Sequence, residues 1–326
     1  MERKKINRLI RYFNYKTDNK YKDLVDEKLN NAKVIIKKRF IILSLKNYLI
    51  TGYYEPKNNQ IIVYDDKDKQ NVKNTFFHEL FHLLSGDGLT HNSRRNKNYY
   101  GTSINEGFTS YLTNKYFDDN DNYTAERKFI EILNYIIGEE KMEELYFSGD
   151  IYGLIEELKN LKFFQEKKVN DPRKPVINLI RAADHVFYYY RNMFTDRDLK
   201  NIKDKHLLVR SKKFDTKEYV LFLEYILRFL TDSLIEKLIN DIVNFKITPE
   251  EAFDFYKKNM GDLYKDLLYR KNKQGELYIK DEIYDFDSKL LNFDDRLMNF
   301  VFDYITTTAT KRINEQKLIL NKKSGI

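Results

Sequence analysis

At 326 residues the chain is long enough for one large or two ordinary domains, and 42% hydrophobic residues, with 26 Tyr and 23 Phe, exclude wholesale disorder. The lack of cysteine excludes disulfides and thiolate metal sites, so any metal must sit on His and carboxylate ligands. The net charge of +8 comes from Lys and Arg spread along almost the whole length, not gathered into the stripe of a nucleic-acid-binding surface, so no specific nucleic-acid partner is expected.

Ile6, Leu9, Ile10 and Phe13 fall at helical spacing and predict an amphipathic first helix. The basic opening lacks the apolar stretch of a secretory signal. Residues 34–50, the most apolar segment, are interrupted by Lys37, Lys38, Arg39 and Lys46, which is too short and too charged a run to cross a bilayer. The expectation is a soluble cytoplasmic protein without a membrane span. Three β-rich stretches lie at 34–43, 48–54 and 60–64, with a turn at 55–59 between the last two.

From Lys69 the pattern turns helical. Residues 70–85 read as a helix stopped by Gly86, Asp87 and Gly88, and further helices are expected at 103–117, 124–137 and 151–161. Residues 166–175, with two prolines and several charges, mark a boundary. Beyond it, helical periodicity covers 176–194, 217–244, 249–268 and 291–316, with Thr248 as a cap before Pro249. The outline is an α+β protein: a first domain over residues 1–165, with a small sheet and active-site helices, and a mostly helical second domain over residues 176–320.

The informative string is Phe77-His78-Glu79-Leu80-Phe81-His82-Leu83. On a helix, His78 and His82 lie one turn apart and can face one ion, with Glu79 beside them to take a proton from a metal-bound water. Phe76, Phe77, Leu80, Phe81, Leu83 and Leu84 make this helix apolar nearly all round, so it should be buried. Two core histidines satisfied by carbonyls would leave Glu79 unexplained, because a buried carboxylate without a partner is costly. Metal binding accounts for all three. A catalytic zinc takes three protein ligands and one open position. A metzincin pattern would need His at position 88, which is Gly88; Glu106, in the next periodic helix, can return to the His pair.

His78-Glu79-x-x-His82 followed by Asn105-Glu106-Gly107-Phe108 resembles the gluzincin clan, the relatives of thermolysin and aminopeptidase N. The resemblance covers about residues 52–116. It implies a zincin-like N-terminal domain in which His78, His82 and Glu106 bind Zn2+ and Glu79 is the general base of peptide-bond hydrolysis. Residues 53–63 are similar to the strand-turn-strand before the zinc helix of neprilysin-type peptidases, which implies a strand edge that pairs with an extended peptide. The expected partner is therefore a peptide or protein substrate.

The strand 60–64 is expected near the open coordination position. An oxyanion donor besides zinc is needed; candidates are His185, Tyr188, Tyr189 and Tyr190 in one helix, or His91, Tyr99 and Tyr100 in the loop. Position 110, one turn after Glu106, is Ser and not a carboxylate, so no outer partner for the His ligands is assigned. Two other classes stay open: a catalytically inactive zincin-like regulatory or binding protein, and a basic helical protein that binds nucleic acid. The intact Glu79 argues against the first, and the scattered charge against the second.

Overall fold

The structure is a computed structural model that describes residues 2–38, 51–65, 68–86, 88–93, 98–118, 123–167, 169–199, 216–271, 277–279 and 295–323. It is mostly helical with a small mixed sheet, an α+β architecture. The chain separates into two compact units, Met1–Arg127 with Glu140–Leu154, and Lys128–Glu139 with Ile155–Ile326. The division falls inside three helices, Thr124–Ile137, Glu139–Ser148 (after its first residue) and Ile151–Lys159.

The first unit opens with helices α1 (Glu2–Lys16) and α2 (Lys22–Leu29) and strands β1 (Lys33–Lys38), β2 (Gly52–Glu55) and β3 (Gln60–Asp65). The parts of the expected strands at 39–43 and 48–50 lie outside the described residues. The sheet order is β1-β3-β2. β3 is central, parallel to β1 and antiparallel to β2, with Tyr53 opposite Ile62 and Glu55 opposite Gln60. Ile61, Ile62 and Val63 are buried, as a strand covered on both faces requires.

Helix α3 (Lys69–Ser85) follows. Asp68 caps it, accepting from the backbone N–H of Gln70 at 2.9 Å and of Asn71 at 3.3 Å. Its all-round apolar sequence has the expected consequence: from Asn74 to Ser85 every side chain is buried. Phe77 stacks on Phe117 with ring centroids 4.0 Å apart, and Phe13 of α1 packs on Phe77, Phe81 and Phe117. This aromatic cluster leaves α3 little freedom to rotate or slide, so its remaining side chains are aimed by packing. The hairpin β4 (His91–Ser93) and β5 (Asn98–Tyr100) then leads into α4 (Thr102–Phe117).

Helices α5 (Thr124–Ile137), α6 (Glu139–Ser148) and α7 (Ile151–Lys159) continue the chain. In the second unit the long helices Arg173–Leu199, Thr216–Val243, Pro249–Leu268 and Asp295–Lys323 bury a core rich in Leu, Ile and Phe. Thr248 and Glu251 form a reciprocal capping box: the Glu251 N–H donates to Thr248 Oγ1 at 3.2 Å, and the Thr248 N–H donates to Glu251 Oε2 at 2.8 Å. Among the described residues no helix is long and apolar enough to cross a membrane.

Candidate metal centre

α3 presents His78 and His82 one turn apart, and α4 brings Glu106 against them. His78 Nε2 and His82 Nε2 are 3.2 Å apart, and Glu106 Oε2 lies 3.3 Å from each. Among the described residues these three form a group able to hold a metal ion. A tetrahedron with arms of about 2.0–2.1 Å has edges of about 3.3–3.4 Å, so the triangle has the dimensions of one face of a tetrahedral N/N/O site. No thiolate competes in a chain without cysteine.

The electrostatics suit a cation. Burial works against the charge of Glu106, yet the His82 and His78 imidazoles hold its carboxyl well below the usual carboxylate range. Glu79 interacts electrostatically with all three residues. Burial pushes its carboxyl up, opposed by His78 and His82, while Glu106 raises it further. The backbone N–H of Tyr54 donates to the Glu79 carboxylate. His78, Glu79 and His82 each keep 8–9% of their surface, so the group is enclosed but not sealed.

β2 reaches Glu79 because position 52 is glycine. A Cβ there would fall 2.6 Å from Thr75 Cγ2 and 2.8 Å from Ile62 O, forcing the strand away from α3. The Tyr64 N–H bonds to Thr51 O, which fixes the alternation: Thr51, Tyr53 and Glu55 turn their backbone groups to β3, while Gly52 and Tyr54 turn theirs to the open edge. The strand whose backbone reaches Glu79 is thus β2, while β3, the 60–64 strand expected near the open coordination position, also packs on α3. Central β3 has both edges taken.

No protein-family model matches the chain, and no solved structure matches it. A curated protein, "Reticulocyte-binding protein homolog 1" of Plasmodium falciparum (isolate 3D7), is 25% identical over 270 residues, covering 75% of this chain and 9% of that protein. The chain therefore spans a small fraction of that relative's length, and the likeness assigns no family.

The residues around the ligands were not foreseen from the sequence. His82 Nδ1 lies 3.4 Å from Asn105 Nδ2 and from Thr109 Oγ1, and Thr109 Oγ1 lies 2.7 Å from Tyr146 OH of α6. Tyr123 stacks on His78, centroids 5.5 Å apart and planes 13° from parallel. The i, i+4 spacing of Asn105 and Thr109 on one face of α4 was the available signal for two of them.

Among the oxyanion candidates, His91, Tyr100 and His185 have partners. His91 Nδ1 is 3.1 Å from Tyr152 OH, its ring stacks on Tyr100, and Tyr99 is exposed. His185 belongs to the second unit, where it faces Glu218 at 3.6 Å and Phe222. Tyr188 is exposed, and the side chains of Tyr189 and Tyr190 lie outside the described residues.

Proposed function

We propose that this chain is a zinc-dependent metallopeptidase with a zincin-like first unit, in which His78, His82 and Glu106 hold Zn2+ and Glu79 is the general base. The observation that carries the proposal is the triangle of His78 Nε2, His82 Nε2 and Glu106 Oε2 with edges of 3.2–3.3 Å, with the buried Glu79 next to it. Two imidazoles and one carboxylate leave a fourth tetrahedral position open, the arrangement of a catalytic site.

Bound there, zinc would bring the pKa of a water toward neutrality and polarise a carbonyl. The chain's own residues do the rest. Glu79, held by the Tyr54 N–H, accepts the proton of the attacking water and returns it to the leaving amine. Among the described residues no strand pairs with the outer edge of β2, which supports a peptide as substrate, since an extended chain can add to such an edge.

A binding module without turnover has no use for a carboxylate buried beside the ligand set, so the intact Glu79 favours the enzyme. The test is metal analysis of the purified protein combined with cleavage of a peptide library. About one zinc per chain, with cleavage abolished by a chelator and restored by zinc, is expected; absence of zinc uptake on titration would sink the proposal.

A further inference from the structure

We propose that Thr109, braced by Tyr146, is the positioning residue for His82: its hydroxyl oxygen accepts a hydrogen bond from the imidazole Nδ1–H and so fixes the tautomer whose Nε2 lone pair faces His78 and Glu106. This rests on the metal-site reading above, and it adds a residue from α4 and a support from α6 to that site.

The assignment follows from counting donors and acceptors around His82. Only two polar atoms approach Nδ1 among the contacts described, Asn105 Nδ2 and Thr109 Oγ1, each at 3.4 Å. The Asn105 amide cannot turn its oxygen to the ring, because Oδ1 accepts the Leu89 backbone N–H at 3.1 Å. Gly88 keeps that arrangement in place, since a Cβ there would fall 1.9 Å from Asn105 Oδ1. The amide nitrogen therefore faces His82 and offers no lone pair to an N–H.

Thr109 can accept. Its own proton goes to the Asn105 carbonyl at 2.9 Å, which leaves Oγ1 lone pairs for other donors. Tyr146 OH, 2.7 Å away, must then be the donor in that pair. Tyr146 is fully buried, and burial pushes its phenol up, so it remains a protonated donor at any physiological pH. The Ser85 hydroxyl also reaches the Tyr146 oxygen. Thr109 thus accepts from Tyr146 on one side and from His82 on the other.

Without Thr109 the balance reverses. Asn105 Nδ2 would donate to a bare Nδ1, placing the His82 proton on Nε2 and directing it at the ligand triangle. A histidine ligand loses affinity when the group that orients it is removed, typically by 10–100-fold.

The test uses the full chain. Zn2+ affinity is measured by competition with a chromophoric chelator for the wild type, Thr109→Val and Thr109→Ser. In parallel, selective 15N-histidine labelling reads the His82 tautomer in the metal-free protein. The expected result is an Nδ1–H tautomer in the metal-free wild type, a loss of about 10–100-fold in affinity for the near-isosteric Thr109→Val, and recovery in Thr109→Ser. Tyr146→Phe should weaken binding in the wild-type background and add nothing on top of Thr109→Val, because it acts through the same hydroxyl.

An Nε2–H tautomer in the metal-free wild type overturns the proposal even if no variant folds. Equal affinity in Thr109→Val and wild type overturns it as well, and additive losses remove Tyr146 from the chain. If the wild type binds no zinc yet shows the Nδ1–H tautomer, the metal-site reading fails while the positioning of His82 stands.

Discussion

The backbone N–H of Tyr54 donates to the carboxylate of Glu79, joining the open edge of the sheet to the helix that carries both imidazoles. Strand and carboxylate are thereby set against each other. Under the proposed function, an extended peptide laid along β2 would be positioned by the same strand that holds Glu79.

Glu79→Gln keeps the shape of the side chain and the Tyr54 contact but removes the proton acceptor. Zinc content and the far-UV circular dichroism spectrum should match the wild type, while peptide hydrolysis falls by about 10²–10⁴-fold. Turnover at the wild-type rate in this variant would mean that Glu79 is not the base.

Glu106→Ala should behave differently, because it removes a ligand. A ligand that binds only the folded state raises the unfolding midpoint with its concentration. Added zinc should therefore raise the midpoint of the wild type and of Glu79→Gln, but not that of Glu106→Ala or His78→Ala. Differential scanning fluorimetry across a zinc series reads the contrast. A shift of wild-type size in Glu106→Ala would remove Glu106 from the ligand set.

The site was legible where its geometry is local, and the surroundings were not. His78 and His82 share a face because of helical spacing alone, and the apolar run from Phe76 to Leu84 already implied burial. Glu106 required only that the next helix return. Tyr146 could not be picked out: it is one of 26 Tyr, in a helix whose sequence EEKMEELYFS is half charged and carries little apolar periodicity. The sheet order was hidden for a different reason. β1 pairs with β3 across the intervening β2, and no local signal announces a non-sequential partner.

Gly86 and Gly88 offer a controlled comparison at the end of α3. Both have positive φ, +64° and +53°, but nothing lies within 4 Å of a Cβ on Gly86, whereas a Cβ on Gly88 would meet Asn105 Oδ1 at 1.9 Å. Gly86→Ala should cost about 1 kcal/mol from backbone strain alone. Gly88→Ala should cost more, and should weaken zinc binding by displacing Asn105. Urea unfolding and chelator competition on the two variants measure the difference; equal effects on zinc would show that Asn105 moves freely.

The second unit carries a buttressed ion pair remote in sequence from the His78, His82 and Glu106 group. Arg312 grips Glu236 with two parallel hydrogen bonds, Nη1 to Oε1 at 2.8 Å and Nη2 to Oε2 at 2.9 Å, and Nη1 also donates to Asn240 Oδ1 at 2.9 Å. The Arg312 hydrogen bonds hold the Glu236 carboxyl below its ordinary value although partial burial opposes them. A carboxyl depressed in the folded state binds fewer protons folded than unfolded, so its contribution is complete above the unfolded value near pH 4.5. It is lost as pH falls through the lower folded value. Arg312→Ala should therefore lower stability at pH 7 by about 1 kcal/mol, given a half-exposed pair with two-pronged geometry. The deficit should shrink as pH falls below 4.5 and the wild type loses the same interaction. Arg312→Lys should recover only part of it, since an ammonium cannot make the parallel pair. Denaturant midpoints measured between pH 7 and pH 3 check the convergence; a deficit that stays constant across that range would show that the pair contributes packing and no charge interaction.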